Sequence, residues 1–363
     1  MRSDQRVAVI SEVWDADSSL LGTPAGTVDL RTGALRVSTS ENMITKATAV
    51  APDHTDDCPL WYKFLDETTQ GDAAFQRYLR AVAGYAATGM TTEHALFFVY
   101  GPGGNGKSVF IATISRILAD YSQTALMETF IASGSAQRHP TELASLRGAR
   151  LVTASETEEG RRWAESRIKA LTGGEAISAR FMRQDAFEFK PQLKLLISGN
   201  HAPNLVNVDE AMRRRLHVIP FTNTPTTPDK DLEGKLEGEW PGILRWMIEG
   251  AVDWHQNGLT KPEIVSAATE DYFSEQNVFA HWLDQNCRVE PNNIHLFSTS
   301  REIYENWKSF AEANGEHAGS SKGLGARLAR IGLRSDRRNI GKRVRGWVGI
   351  ALLASTSVSE TEF

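Results

Sequence analysis

The chain has 363 residues, 41% of them hydrophobic, and a formal net charge of -5 at pH 7. That length supports two or three domains with a substantial core, and no stretch approaches the roughly 20 apolar residues of a membrane-spanning helix. The opening run Met1-Arg2-Ser3-Asp4-Gln5-Arg6 leads into no apolar signal segment, and Cys58 and Cys287 lack partners at metal-ligand spacing, so a cytoplasmic protein without zinc or disulfides is expected.

The elements follow in chain order. Thr27-Val28-Asp29-Leu30 and Ala34-Leu35-Arg36-Val37 flank Arg31-Thr32-Gly33, a hairpin signal. Asp15-Ala16-Asp17, with 14 residues before it, reads as a turn and not as the acid pair of a polymerase site. From Pro59 to Gly89, Trp61, Phe64 and Leu65, then Phe75, Tyr78, Leu79, Val82 and Tyr85, predict a helical collar. Ala95–Tyr100 is a short apolar run of the kind a buried parallel strand needs. Behind it stands Gly101-Pro102-Gly103-Gly104-Asn105-Gly106-Lys107-Ser108, and Val109, Phe110, Ile111, Ile114, Ile117 and Leu118 then recur at helical spacing.

A Gly-x-x-x-x-Gly-Lys-Ser run between a strand and a helix is a phosphate loop. Its N–H groups and the helix dipole can surround the phosphates of ATP, Lys107 can reach the outer ones, and Ser108 can coordinate Mg²⁺. Gly101 to Val109 are the expected nucleotide-binding residues. Two further apolar strands end in polar groups: Arg150 to Glu156 in a carboxylate, and Leu193 to Ser198 in Gly199-Asn200. Strand ends cluster at the ligand in such folds. Glu156 can therefore polarise water or help hold metal, with Glu158 and Glu159 as helpers, and Asn200 can sense the γ-phosphate. Arg213-Arg214-Arg215 precedes another strand, and Arg214 or Arg215 could complete a neighbouring subunit's site.

The segment holding Pro220, Pro225 and Pro228 predicts a boundary, followed by a helix over residues 242–255. Helices are expected over 278–286, 300–314 and 320–331, the last followed by a two-stranded wing, Leu333 to Arg338 and Val344 to Leu352, flanking Asn339-Ile340-Gly341-Lys342. Between Lys322 and Arg345 nine basic residues meet one acid, 9 - 1 = +8, which points to nucleic acid. Lys322, Arg327, Arg337, Arg338, Lys342, Arg343 and Arg345 are the DNA-contact candidates.

The order of phosphate loop, Glu156, Arg167-Ile168-Lys169-Ala170-Leu171-Thr172-Gly173-Gly174, Asn200 and Arg213-Arg214-Arg215 resembles a superfamily 3 helicase. More narrowly it is similar to the helicase half of phage and plasmid primase-helicases related to the poxvirus primase-helicase, without the primase half. The resemblance implies an α/β, AAA+-like P-loop core. It also implies a ring, with a hexamer expected, translocating 3′ to 5′ on single-stranded or forked DNA. A separate primase is a candidate partner, and the compartment would be the host cytoplasm. Residues 177–183 and 186–189 would form a channel hairpin, with Lys169, Arg180 and Arg183 as DNA or relay contacts. Ser155 stands where many relatives carry an acid, which shifts Mg²⁺ toward Ser108 and water. The expected division is 1–90 hairpin and collar, 91–222 P-loop core, 223–273 helical extension, 274–354 winged-helix-like DNA-binding domain, and 355–363 disordered tail. The alternative is an ATP-switched origin-binding or regulatory protein that does not unwind DNA.

Overall fold

The computed structural model describes residues 13–132, 141–156, 163–200, 205, 209–225, 228–275, 278–314, 318–340 and 342–353. They fall into two compact units, Met1–Phe273 and Ser274–Phe363.

Antiparallel strands β1 (Leu20–Thr23), β2 (Gly26–Asp29) and β3 (Ala34–Arg36) open the first unit. The expected hairpin forms, and β1 widens it to three strands. Asp29 holds its turn by accepting from Arg31 N at 3.0 Å and Nε at 2.8 Å. Asp15 lies in a turn at φ 53, as its setting predicted. Helices α1 (Pro59–Thr69) and α2 (Ala73–Ala87) make the collar. Pro59 needs no helical acceptor in the first turn, and Glu239 caps α1 from far along the chain, accepting from Leu60 N and Trp61 N at 2.9 Å each.

Next come β4 (Leu96–Tyr100), α3 (Lys107–Leu118), β5 (Ser122–Thr124), α4 (Thr141–Ala144), β6 (Leu151–Glu156) and α5 (Glu165–Gly173). The hairpin β7 (Ile177–Arg180) and β8 (Ala186–Phe189) precedes β9 (Lys194–Gly199), α6 (Glu210–Arg215) and β10 (Leu216–Pro220). Helices α7 (Leu232–Leu236), α8 (Trp240–Asn257) and α9 (Glu263–Glu275) follow. Five strands form one parallel sheet in the order β10-β4-β9-β6-β5, a mixed α/β arrangement consistent with a P-loop-like core.

Alternate residues of each strand feed opposite faces of that sheet, as the pleat requires. Phe97, Val99, Leu196 and Ile219 pack with the collar, α3 and α8, while Leu96, Phe98, Val152, Ile197 and Val218 pack with Phe130, Trp163, Ile168 and Phe273. Covering both faces explains why the strands read as continuous apolar runs and not as alternations. The collar is bound to this layer through α2 and α8, which cross where both lack a side chain. A Cβ on Gly84 would stand 2.0 Å from Ala251 N, and one on Gly250 2.1 Å from Arg80 O.

The second unit runs α10 (Val278–Asn286), β11 (Cys287–Val289), β12 (Phe297–Thr299), α11 (Ser300–Ala313), α12 (Ser321–Arg330), β13 (Arg334–Ile340), β14 (Lys342–Val348) and β15 (Ile350–Leu352). Phe279, Trp282 and Trp307 meet at centroid distances of 5.5 to 5.7 Å in its core. The wing corrects the sequence expectation in two respects. Its arms run further toward the tip than residues 338 and 344, and the second arm does not continue unbroken to Leu352. At Gly349, φ +87, the chain leaves β14 and pairs β15 with β11, while β12 joins β14 as a third strand. The left-handed conformation there favours glycine, and a Cβ would lie 2.9 Å from Glu290 O. Residues 355–363 lie outside the described residues. Among the described residues no helix is long and apolar enough to cross a membrane.

Candidate functional site

The parallel register brings the strand ends into one row. Tyr100 of β4 pairs with Gly199 of β9, and Gly199 pairs with Glu156 of β6. The phosphate loop leaves β4 at Gly101, so the loop, Asn200 and the end of β6 share the carboxyl edge of the sheet. Gly101, at φ +150, has no room for a Cβ, which would stand 2.0 Å from Phe221 O. Asn105 is buried, and its side-chain N–H₂ donates to that same Phe221 carbonyl, tying the loop to the end of β10. Gly106, at φ +85, is the N-cap of α3 and has the Phe64 ring directly beneath it.

Lys107 is 8% exposed. Its ammonium donates to Gly101 O at 2.5 Å, Pro102 O at 2.9 Å, Asn105 Oδ1 at 3.1 Å and Asn200 Oδ1 at 3.2 Å. Burial holds its pKa below the ordinary lysine value. The last of these bonds joins two residues 93 positions apart, the loop lysine and the amide at the end of β9. Ser108 is exposed at the start of α3 and lines the same cavity. Ser155 and Ser198 face each other on β6 and β9, with hydroxyls 3.1 Å apart. The Glu156 backbone is part of β6, but its side chain and residues 158 and 159 lie outside the described residues.

The cavity has a volume of about 380 Å³, within the usual range for a small-molecule site. One wall is the loop from Gly103 to Val109, with Asn200. Its opposite wall escaped sequence reasoning. Leu60, Lys63, Phe64, Glu67 and Thr68 of α1, with Asn223, Pro225, Pro228, Asp229 and Leu232, complete the lining. Asn223 locks the two parts together by donating its side-chain N–H to Glu67 O at 2.6 Å. Two of the three prolines taken as a boundary, Pro225 and Pro228, thus line the pocket, while Pro220 ends β10, and the collar helix is a pocket wall. No short motif marks either segment. Only the amphipathic stripe of α1 was visible, and it reads equally well as core.

The three consecutive arginines have three different settings. Arg213 is held by Glu270 at 2.8 Å and lies over the Phe273 ring at 4.9 Å. Arg215 donates to Thr172 Oγ1 at 3.2 Å and Ala211 O at 2.9 Å. Arg214 is exposed, with no partner among the described residues. Lys169 is engaged by Asp209 at 2.5 Å and Glu165 at 3.9 Å. Arg180 and Arg183 are exposed at the β7–β8 hairpin. Between them the tip carries two residues that sequence reasoning passed over, Phe181 and Met182, 37% and 69% exposed, with Phe181 stacked on Phe187.

In the second unit, Arg337, Arg343 and Arg345 are exposed around a concavity of about 490 Å³. Arg338 instead donates to Ile294 O at 2.5 Å and covers the Phe297 ring. Arg327 lies over Phe279 and Trp307, Lys322 is exposed on α12, and the Lys342 side chain lies outside the described residues.

Two family models match the chain: "D5 N terminal like" over residues 1–70 and a family of unknown function, DUF5906, over residues 99–215. "Putative helicase L207/L206" of Acanthamoeba polyphaga mimivirus is 24% identical over 327 residues, covering 83% of this chain and 34% of its own length. "Putative helicase 022R" of Frog virus 3 (isolate Goorha) is 24% identical over 270 residues, 68% of this chain and 27% of its own. The chain resembles phage and viral primase-helicase-like helicases. It spans about a third or less of these two relatives. Among solved structures, the apo C-terminal region (305-718) of NrS-1 superposes with a TM-score of 0.53 at 11% identity, over 84% of this chain and 78% of that one, a likeness of fold.

Proposed function

We propose that this chain is an ATP-dependent, ring-forming DNA helicase that translocates on single-stranded DNA, with an AAA+-like core and a winged-helix-like C-terminal unit. The observation that carries the reading is the 3.2 Å bond from Lys107 Nζ to Asn200 Oδ1 at the mouth of the phosphate loop. It unites the residue that binds outer phosphates with an amide able to report on the γ-phosphate, and Glu156 ends the adjacent strand in the same row.

In this reading Gly101 to Val109 cradle the phosphates, and Lys107 turns from the Gly101 and Pro102 carbonyls toward them. The donor set suits Mg²⁺, which keeps several waters and takes few protein ligands besides phosphate oxygens. Ser108 would hold it, and the ion would supply charge neutralisation at the phosphates. Glu156 orients the lytic water. Leu60, Phe64, Pro225 and Leu232 give the base an apolar slot. Arg214 is the favoured finger, because Arg213 and Arg215 are already engaged within their own subunit. The exposed Arg180, Phe181, Met182 and Arg183 suit a hairpin that stacks on bases and tracks phosphates. The resemblance supports a hexamer, 3′ to 5′ polarity, forked DNA as substrate and a separate primase as partner.

The finger is tested by mixing. Arg214→Ala and Lys107→Ala are each expected to lose ATP hydrolysis by a factor on the order of 10³ or more. Mixed one to one, they regain part of it, since some interfaces then pair an intact loop with an intact arginine. Wild-type turnover by Arg214→Ala alone would refute the assignment.

A further inference from the structure

Register puts like charges together on the wing. Arg337 of β13 pairs directly with Arg345 of β14, and Asn339 pairs with Arg343. Side chains two apart on a strand share a face, so Arg337, Arg343 and Arg345 project to one side. Like charges directly opposite each other destabilise a ladder. None of the three guanidinium groups has a hydrogen-bond or ion-pair partner among the described residues. The acid beside them, Asp336, lines the same concavity, but it accepts from Arg337 N at 2.7 Å and lies 3.6 Å from Arg338 Nε, and it pairs with none of the three guanidinium groups. An unneutralised triad around a concavity is a site arranged for anions.

The same face of the hairpin is the one turned toward α12. Trp347 shares it, paired with Ser335, and the Trp347 ring would stand 3.1 Å from a Cβ on Gly325. The exposed positions of α12 among the described side chains are Ser321, Lys322, Gly323, Ala326 and Ala329. Beyond the first turn, the exposed side chains described on α12 are alanines, which offer a base edge nothing to hydrogen-bond with, and Arg327 is occupied with the aromatic core. Arg343 and Arg345 are two residues apart on one strand, roughly 6.6 Å along it. That span suits a track of successive phosphates better than a single small anion.

We propose that the β13–β14 face, through Arg337, Arg343 and Arg345, is the main nucleic-acid contact of the second unit, and that it grips the sugar-phosphate backbone without reading sequence. The proposal rests on the DNA-helicase reading only in taking DNA as the partner.

The test is fluorescence anisotropy of the full chain, without nucleotide, on labelled duplexes of two unrelated sequences and on a single strand, from about 50 to 200 mM KCl. Changing Arg337, Arg343 and Arg345 together to Gln should lower the slope of log affinity against log salt by about 2 to 3, at roughly 0.9 per duplex phosphate and 0.7 per single-strand phosphate. A drop in either arm supports the contact and identifies the strand state it takes. The two duplexes should bind with affinities far closer than the factor of about 10³ or more that separates specific from non-specific sites. Arg338→Gln should leave the slope unchanged, because that side chain is spent on the Ile294 carbonyl. An unchanged slope in the triple variant, an equal loss from Arg338→Gln, strong sequence discrimination, or complete displacement of DNA by millimolar inorganic phosphate would each overturn the proposal. ATP hydrolysis by the wild-type chain is scored separately. A chain that binds as described but never hydrolyses ATP keeps this inference and loses the helicase reading.

Discussion

At the scale of single residues, buried ionisable groups tie the sheet to the collar. Arg150 is 2% exposed and donates to Ala87 O and Leu20 O at 2.8 Å each, with its guanidinium over the Tyr121 ring. Lys194, fully enclosed, donates to the Thr88, Met90 and Gln192 carbonyls. Lys194 opens β9 and Arg150 immediately precedes β6, positions that composition alone would assign to solvent. His217 on β10 is 3% exposed, and its Nδ1 shares a hydrogen bond with the Tyr78 hydroxyl on α2. Burial, followed by the charge of Lys261, pushes its pKa well below 6.5. The folded state thus holds this ring neutral where the unfolded chain protonates it. More protons bind the unfolded state, so stability falls as pH drops below about 6.5, by up to about 1.4 kcal/mol per unit. Urea unfolding at pH 7.5 and 5.5 should show this loss in the wild type and a smaller one in His217→Gln, where His255, also held below its ordinary value by burial, keeps its own share. Asp29 and Asp253, held low chiefly by Arg31 and Arg77, act in a separate window below pH 4. Equal pH dependence in the variant would remove His217 from the account.

At the scale of elements, the α2–α8 crossing relies on Gly84 and Gly250. Gly250→Ala places a methyl group against backbone that cannot move out of the way, and should cost about 1 to 3 kcal/mol in denaturant unfolding. The ion pairs Arg77–Asp253 and Arg80–Glu249 flank this crossing but are partly exposed and worth little singly, so they will not compensate. A variant as stable as wild type would mean that the helices are less tightly apposed. The phosphate loop and the strands ending at Glu156 and Asn200 were legible, because a local rule governs each one: apolar runs, glycine turns, a strand end. The cavity's far wall was not. Leu60 and Pro225 line one cavity where Asn223 reaches back to Glu67 across 156 positions, and no spacing encodes that. The turn at Gly349 was likewise hidden, because choosing between β14 and β11 as partner is a tertiary decision. Basic charge pointed to the second unit as a whole, but register was needed to separate Arg337, Arg343 and Arg345 from Arg338, which is engaged.

At the scale of the whole molecule, the proposed ring would join a nucleotide pocket built from one subunit to an arginine offered to the next, with the resulting turnover spent on moving DNA. Hydrolysis should therefore rise more steeply than linearly with protein concentration, until assembly saturates. The most direct measurement is strand displacement on a forked DNA substrate. The wild-type chain with ATP and Mg²⁺ is predicted to release the labelled strand, and to fail with a non-hydrolysable analogue or as Lys107→Ala. DNA-stimulated ATP hydrolysis with no strand released would contradict the account, and would leave an ATP-driven DNA-binding switch in its place.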